Sequence, residues 1–342
     1  MKLLAATALA VPLVAAGTAE AQSLSTPGLA RGATSGFDYA GGTPGGVAVL
    51  VFGFGGTGNS VPLDADATLE LFEPTQIWTY ALVPVSGAIH FPLTIPTSIV
   101  LPAVSAQVVE LVYVPPGWDF RSSNAITAAI APLASLSQDF SSGALGSDWS
   151  VLHPSVGSVS VTGGELVLEP SLGGLPDMWF DDGEGLACVR TLTGDFEVSC
   201  EVLVHAAGNT ASPPPTGYRL GGLLIRDARA VSSAPGAHEW CHVATGSGGA
   251  GQPAGVEWKE THASSSAWSV VPTASTHQEL RLVRTGSVVT SWYRDVGATA
   301  WTQLATYTFA ALPPTVEVGA MCYSFSSPPQ VVARFERIEF AH

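Results

Sequence analysis

The sequence predicts an all-β protein of two β-sandwich domains, and three observations carry the prediction. Apolar residues come in many short runs, and no helix-period segment of useful length appears over residues 22–134. Gly 37 and Pro 25 punctuate those runs, at roughly the 8–12-residue intervals of a sandwich. A hydrophobic content of 46% against only 12% charged residues is too apolar for a disordered chain.

Taken in order, residues 1–21 read as a secretory signal peptide. Lys2 precedes the apolar run 5–16, and Ala19-Glu20-Ala21 stands before Gln22 as a cleavage site. The run is shorter than the about 20 residues a bilayer span requires. No later stretch is long and apolar enough to anchor the chain, and no lipobox cysteine follows. The expectation is a secreted protein (extracellular, periplasmic or cell-surface) without membrane insertion.

Residues 22–134 read as a small β-sandwich domain. The run 47–54 is almost continuously apolar and closes at Gly55-Gly56, while 67–72 alternates with Leu69 and Leu71 on one face. Strands 77–83, 88–93 and 108–114 follow, the last ended by Pro115-Pro116-Gly117, and Ser123-Asn124-Ala125-Ile126 opens a final strand. The uncharged connector 131–138 marks the boundary to a second domain, 139–342.

In that second domain Phe196, Val198, Cys200, Val202 and Val204 share one strand face, and Glu197, Ser199, Glu201 and His205 share the other. A strand pair turns at Gly163-Gly164, and another at Thr285-Gly286. Two long strands, 316–325 and 331–340, close the chain. All four cysteines lie here: Cys188, Cys200, Cys241 and Cys322. An even number in an exported chain predicts two disulfides. Of the three connectivities, Cys188–Cys200 with Cys241–Cys322 is favoured, because the first pair flanks Thr193-Gly194-Asp195 as hairpin neighbours would.

The formal net charge is −15, and Lys2 and Lys259 are the only lysines. Nucleic-acid binding needs clustered basic residues to displace phosphate counterions, so that class is excluded.

The second domain resembles the concanavalin A-like jelly-roll family found as accessory domains of β-xylosidases. The resemblance rests on Asp139-Phe140 with Trp149, Thr193-Gly194-Asp195-Phe196-Glu197-Val198, and Gly222-Leu223-Leu224-Ile225-Arg226-Asp227. It continues through Leu280-Arg281-Leu282-Val283-Arg284, Trp292-Tyr293-Arg294, Val318-Gly319 and Ala333-Arg334-Phe335. It implies a jelly roll over 139–340 and is less specific for activity, since the fold hosts lectins, glycosidases and inert modules. The first domain resembles a β domain recurring in secreted bacterial proteins of unknown role, through 47–54, Ile95-Pro96, Gln107 and Ser123-Asn124. The jelly-roll family often sets an acidic residue on its last strand beside a structural calcium. Here Arg337 follows Phe335-Glu336, which opposes a cation, and no cofactor or metal is expected.

Catalytic signatures are missing. Jelly-roll glucanases present Glu-x-Asp-x-Glu along one strand, and no such triplet occurs. Asp181-Asp182-Gly183-Glu184 reads as a solvated turn, and Glu257 and Glu260 fall on opposite faces of a strand. Thr245-Gly246-Ser247-Gly248 lacks the helix of a nucleophile elbow and reads as a hairpin loop. Gly53-Phe54-Gly55-Gly56-Thr57-Gly58 lacks the helix a dinucleotide fingerprint needs.

The positive signal is aromatic, because seven of the nine tryptophans lie in the second domain. Tryptophan stacks on the apolar faces of sugar rings while polar groups hold their hydroxyls. Trp240 and Trp258 are the candidate exposed aromatics of a glycan site, with His242, Arg226 and Asp227 nearby, the alternative being that they are core or rim tryptophans. The expected function is therefore a non-catalytic glycan-binding or surface module with a polysaccharide partner. The alternatives are a glycoside hydrolase with unrecognised carboxylates and a structural or adhesive protein without a small ligand.

Overall fold

A computed structural model describes residues 22–63, 67–72, 74–172, 178–228, 236–249 and 254–342. The expected signal peptide at 1–21 lies outside the described residues. Nearly every described element is a strand, and the described helical turns are short 3-10 pieces at Leu133–Leu136 and Pro154–Val156. No described helix is long and apolar enough to cross a membrane.

The chain divides into two compact units. One comprises Met1–Pro27, Phe37–Phe91 and Ala103–Ala128; the other takes in Ala129–His342 together with Gly28–Gly36 and Pro92–Pro102. In the first, Ala103–Val114 and Val47–Gly53 pair antiparallel, with Thr75–Leu82 beyond Val47–Gly53 and Gly117–Ser122 folded back on Ala103–Val114. Ser23–Ser25, Thr34–Ala40 and Ile89–Thr94 form a second small sheet. Buried Glu110 organises this unit's polar interior. It accepts hydrogen bonds from Gln22 Nε2, the Tyr39 hydroxyl (2.9 Å) and the Thr43 backbone N–H (2.7 Å).

The second unit is a jelly roll of two seven-stranded antiparallel sheets. The front sheet runs, in spatial order, Ser150–Leu152, Leu186–Thr193, Thr315–Ser324, Arg219–Arg226, Trp240–Ser247, Gly255–His262 and Ser265–Pro272. The back sheet runs Gly157–Thr162, Glu165–Pro170, Val331–Ala341, Phe196–Ala206, His277–Thr285, Val288–Asp295 and Thr302–Thr308. Period-2 alternation assembles the core between them. Val198, Cys200, Val202 and Val204 face Leu223, Ile225, Cys241 and Val243, with Phe140, Trp149 and Phe340 completing the cluster.

The predicted disulfides are corrected: all four cysteines are free, buried thiols. Thr193-Gly194-Asp195 is no hairpin, because Leu186–Thr193 belongs to the front sheet and Phe196–Ala206 to the back. Cys188 and Cys200 therefore look across the sandwich, where sheets pack about 10 Å apart. Cys241 and Cys322 lie in the front sheet with Arg219–Arg226 between their strands. At about 4.8 Å per strand, that spacing exceeds the Cα separation of about 7 Å a disulfide tolerates. Burial raises all four thiol pKa values, Cys188 to about 12, so none is a reactive thiolate. The expected hairpin loop at 245–248 is also corrected in part, since Trp240–Ser247 is strand through Ser247.

Candidate functional site

The front sheet has a second face, turned away from its partner, and the alternation that fills the core determines what this face carries. In Gly255–His262, Val256 and Trp258 pack on the inter-sheet core, which leaves Glu257, Lys259 and Thr261 on the outer side. Antiparallel register sets Lys259 opposite His242 and Glu257 opposite Ala244. Tyr323, two strands further on, shares that outer face with Leu220, Leu224 and Trp240. Charged residues so placed would ordinarily be wet. Here Glu257, Lys259, His242 and Tyr323 are all buried.

The cover is the chain's own segment 178–184, between Glu165–Pro170 and Leu186–Thr193. The Trp179 carbonyl accepts a hydrogen bond from Lys259 Nζ (2.9 Å), and the Asp181 carbonyl accepts one from Trp240 Nε1 (3.4 Å). Asp181 and Ser266 clamp each other: the Asp181 N–H donates to Ser266 Oγ (2.8 Å) and the Ser266 N–H to Asp181 Oδ1 (2.9 Å). Trp179 meets Trp240 edge-on, with ring centroids 5.7 Å apart.

Glu257 Oε1 is the hub beneath. It accepts from the Tyr323 hydroxyl at 2.7 Å and from His242 Nε2 at 2.9 Å, and pairs with Lys259 Nζ at 3.1 Å. Lys259 Nζ also donates to the Tyr323 hydroxyl at 3.1 Å. Burial by itself would raise the Glu257 pKa. The Lys259 charge and the His242 and Tyr323 hydrogen bonds outweigh it and hold the carboxyl at about 2. Burial, helped by the Lys259 charge and opposed by Glu257, lowers His242 to about 4. At neutral pH the floor is thus a carboxylate, an ammonium, a neutral imidazole and a phenol. Because Oε1 is an ionised acceptor, the imidazole carries its hydrogen on Nε2.

Above this floor is a pocket of about 330 Å³. Its walls are Met178, Phe180, Tyr218, Trp268 and Phe325, and its floor is Glu257, Lys259 and Tyr323. Trp268 (43% exposed) and Phe325 (51%) form the open rim. Phe180 packs edge-on against Trp268 at 5.2 Å, and Tyr218 likewise against Phe325 at 6.3 Å. The aromatic walls offer a surface complementary to a ligand with an apolar face. Glu257, held ionised and well below neutrality, lacks the raised pKa of a general acid.

A second ion cluster occupies the same face at the other end of the strands. Arg226 is buried and pairs with Glu184 (2.8 Å) and Glu317 (3.0 Å), while His153 Nε2 reaches Glu184 at 2.8 Å. Burial would raise Glu184, but the His153 hydrogen bond and the Arg226 charge bring it below its ordinary value. Glu317 stays raised, because burial exceeds the Arg226 attraction.

The sequence-derived site is therefore partly rearranged. Trp240 is not an exposed platform: it is 1% exposed and stacks on His242 at 5.6 Å. His242 is fully buried. Trp258 faces the core beside Tyr307, because strand alternation puts it opposite Glu257. Arg226 is sealed in its ion cluster, and Asp227 is buried with its N–H donating to the Glu239 carbonyl. Asp181-Asp182-Gly183-Glu184 is a turn with Asp182 exposed, as expected, but Glu184 is not solvated: it is the buried partner of Arg226. Sequence reading missed Glu257, Lys259, Tyr323 and Trp268 as site residues. Their signal was the run Glu257, Lys259, Thr261 alternating with Val256 and Trp258, around the one lysine downstream of residue 21.

Glu201, His277 and Glu336 bring potential metal-ligating atoms within 4.8 Å of one another on the back sheet. Glu201 is already committed, Oε1 to His277 (3.1 Å) and Oε2 to Arg337 (2.9 Å). Calcium requires six to eight oxygen ligands, which two carboxylates, an imidazole and a neighbouring guanidinium do not fit.

No family model matches the chain, and no curated protein does. Among solved structures, the chain is similar to the GH43 BlXynB protein from Bacillus licheniformis, with 13% identity, 70% of this chain, 50% of that one and a TM-score of 0.48. It is also similar to a xylan β-1,4-xylosidase from Bacillus halodurans, with 13% identity, 94% of this chain, 64% of that one and a TM-score of 0.47. A functionally unknown protein from Saccharomyces cerevisiae matches at 16% identity over 57% of this chain and 96% of its own, with a TM-score of 0.43. The chain thus spans about half the length of the B. licheniformis protein and under two thirds of the xylosidase.

Proposed function

We propose that this chain is an exported, non-catalytic carbohydrate-binding module whose front-sheet pocket holds a sugar ring. The observation that carries the reading is the pairing, in one cavity of about 330 Å³, of aromatic walls with a buried hydrogen-bonding floor. A sugar ring needs both, an apolar face to stack on and polar partners for its hydroxyls. Hydrolysis needs two carboxylates about 5–10 Å apart on either side of the scissile bond. Glu257 is the single carboxylate among the residues lining the pocket, and it is committed to an ion pair. Export rests on the signal-peptide pattern of residues 1–21.

The test is a glycan array probed with the whole mature protein and with Trp268→Ala. Trp268 is a rim residue outside the cores, so its loss should leave the fold intact. Saccharide binding that Trp268→Ala weakens at least about tenfold, the usual worth of a stacked aromatic anchor, supports the reading. Release of reducing sugar from a bound glycan would favour a glycosidase. Absence of binding to every glycan would favour a structural surface role.

A further inference from the structure

We propose that the first unit carries a self-association surface through which two copies of this chain pack as a dimer, a proposal independent of the carbohydrate reading. The surface is one face of the sheet built around Val47–Gly53. Strand register sets Ile77 beside Val51, Tyr80 and Val109 on either side of Val49, and Leu82 and Leu111 on either side of Val47. Tyr113 lies two residues beyond Leu111, so it shares that face, and Trp118 stands opposite it. The short strand Thr68–Leu71 covers one end, where Leu71 is buried with Val51 and Val109. The rest is open: Ile77, Tyr80, Leu82, Tyr113 and Trp118 are between 58% and 74% exposed.

Contiguous apolar surface of this kind marks an interaction site. The edge beside it is equally unguarded. Thr75–Leu82 is the last described strand on its side of the sheet. It carries neither a charge nor a proline, the devices that blunt a free edge. The area matches what a dimer needs. At about 200 Å² for a whole aromatic side chain and somewhat less for Ile or Leu, the five exposed side chains offer about 600 Å² per copy. Two copies would bury about 1,200 Å², the lower end of specific, stable interfaces. The half-buried Val47, Val49 and Leu111 between them add to that.

Charge and composition favour a second copy as the occupant. Each chain has a net charge of −15, so contact between copies through acidic surface is opposed. This face lets them meet without bringing carboxylates together. Glu110 turns inward to the Tyr39 hydroxyl, and Asp119 pairs with Arg121 on the other side of the strand that carries Trp118 and Phe120. A basic partner would find no carboxylate here to pair with. A saccharide would find rows of Leu, Ile and Val without the placed polar groups that hold hydroxyls. Sheet-on-sheet packing about a two-fold axis, the same patch on both copies, suits such a face. Where the front-sheet pocket holds a repeating polymer, a dimer presents two pockets to it.

The test is sedimentation equilibrium of the whole mature protein over about a hundredfold range of concentration, at about 0.15 M and about 1 M NaCl. Retention on insoluble cellulose is measured beside it. Three variants are compared with the unaltered protein: Tyr80→Asp, Trp118→Asp and Leu172→Asp. Leu172 is likewise apolar and exposed but belongs to the second unit. Tyr80 and Trp118 lie on strands at opposite sides of the face, so either variant decides the matter if the other does not fold.

The expected result is a concentration-dependent monomer–dimer equilibrium that is no weaker at the higher salt, because the contact is apolar and salt screens the repulsion between the chains. Tyr80→Asp and Trp118→Asp should each weaken it at least about tenfold, and Leu172→Asp should leave it unchanged. A monomer at every concentration overturns the proposal. So does a dimer that dissociates at the higher salt, or one that Leu172→Asp weakens as much as the other two. A monomer that cellulose retains and that Tyr80→Asp or Trp118→Asp releases would make the face a glycan platform and overturn the proposal as well.

Discussion

Lys259 shows how one residue type changes meaning with its surroundings. On a wet strand face it would be a solubilising charge of little energetic weight. Under segment 178–184 it becomes the counter-ion that lets a carboxylate stay buried, and burial lowers its own pKa despite the Glu257 attraction. Removing one partner of such a pair leaves the other charge uncompensated, the costly case for buried ions. The cluster also sets a pH dependence. The folded protein keeps His242 neutral down to about pH 4, whereas an unfolded chain protonates it near 6.5. Between those values the unfolded state binds more protons, so stability falls as pH drops. Glu257 follows: its contribution is whole above the ordinary carboxyl value of 4.5 and is lost as pH falls through about 2. Urea midpoints measured against pH should decline across both windows. His242→Gln keeps an N–H for Glu257 and should flatten the upper window only. An unchanged upper slope in that variant would show that another group is responsible.

At the scale of elements, segment 178–184 decides whether the front sheet presents a flat polar face or a pocket. Asp181 adopts a left-handed conformation (φ 51°) and closes the reciprocal clamp with Ser266. Asp181→Ala removes the acceptor half of that clamp, which should cost about 1 kcal/mol locally. Faster hydrogen exchange at the described amides of 178–184, with the core strands unaltered, is the expected outcome; unchanged protection there would mean that Trp179 and Lys259 hold the segment without the clamp. The arch at Thr193-Gly194-Asp195 carries the complementary lesson. Its residues read equally well as a hairpin turn, and the flanking strands alternate correctly either way. Only the packing of Leu186–Thr193 beside Thr315–Ser324 and of Phe196–Ala206 beside Val331–Ala341 distinguishes a hairpin from a crossing between sheets.

At the scale of the whole molecule, the sandwich depends on its apolar interior rather than on covalent bridges. The four cysteines behave there as small hydrophobes. A reducing agent should leave the melting temperature unchanged, and a thiol reagent should titrate four groups in denaturant and almost none in the folded protein. Fewer than four thiols in denatured protein would restore the disulfide expectation.

The sequence alone determined the all-β class, the strand faces of the core and the turns at Gly163-Gly164 and Thr285-Gly286. Those features are local: a period of two and a turn residue state them within a few positions. The tryptophan count also singled out the second domain, where the pocket lies. The tertiary structure alone decided which aromatics are exposed. Trp240 and Trp258 have charged neighbours in sequence (Glu239; Glu257 and Lys259), whereas Trp268 stands between Ala267 and Ser269, so the local pattern points to the wrong pair. Their difference arises from what lies across each strand face, whether segment 178–184, the opposite sheet or solvent. The same holds for Glu257, which from its strand pattern is an ordinary surface acid. It becomes the floor of a pocket because residues 15 earlier (His242) and 66 later (Tyr323) in the chain converge on one of its oxygens, and strand pairing at such separations is written in no local pattern.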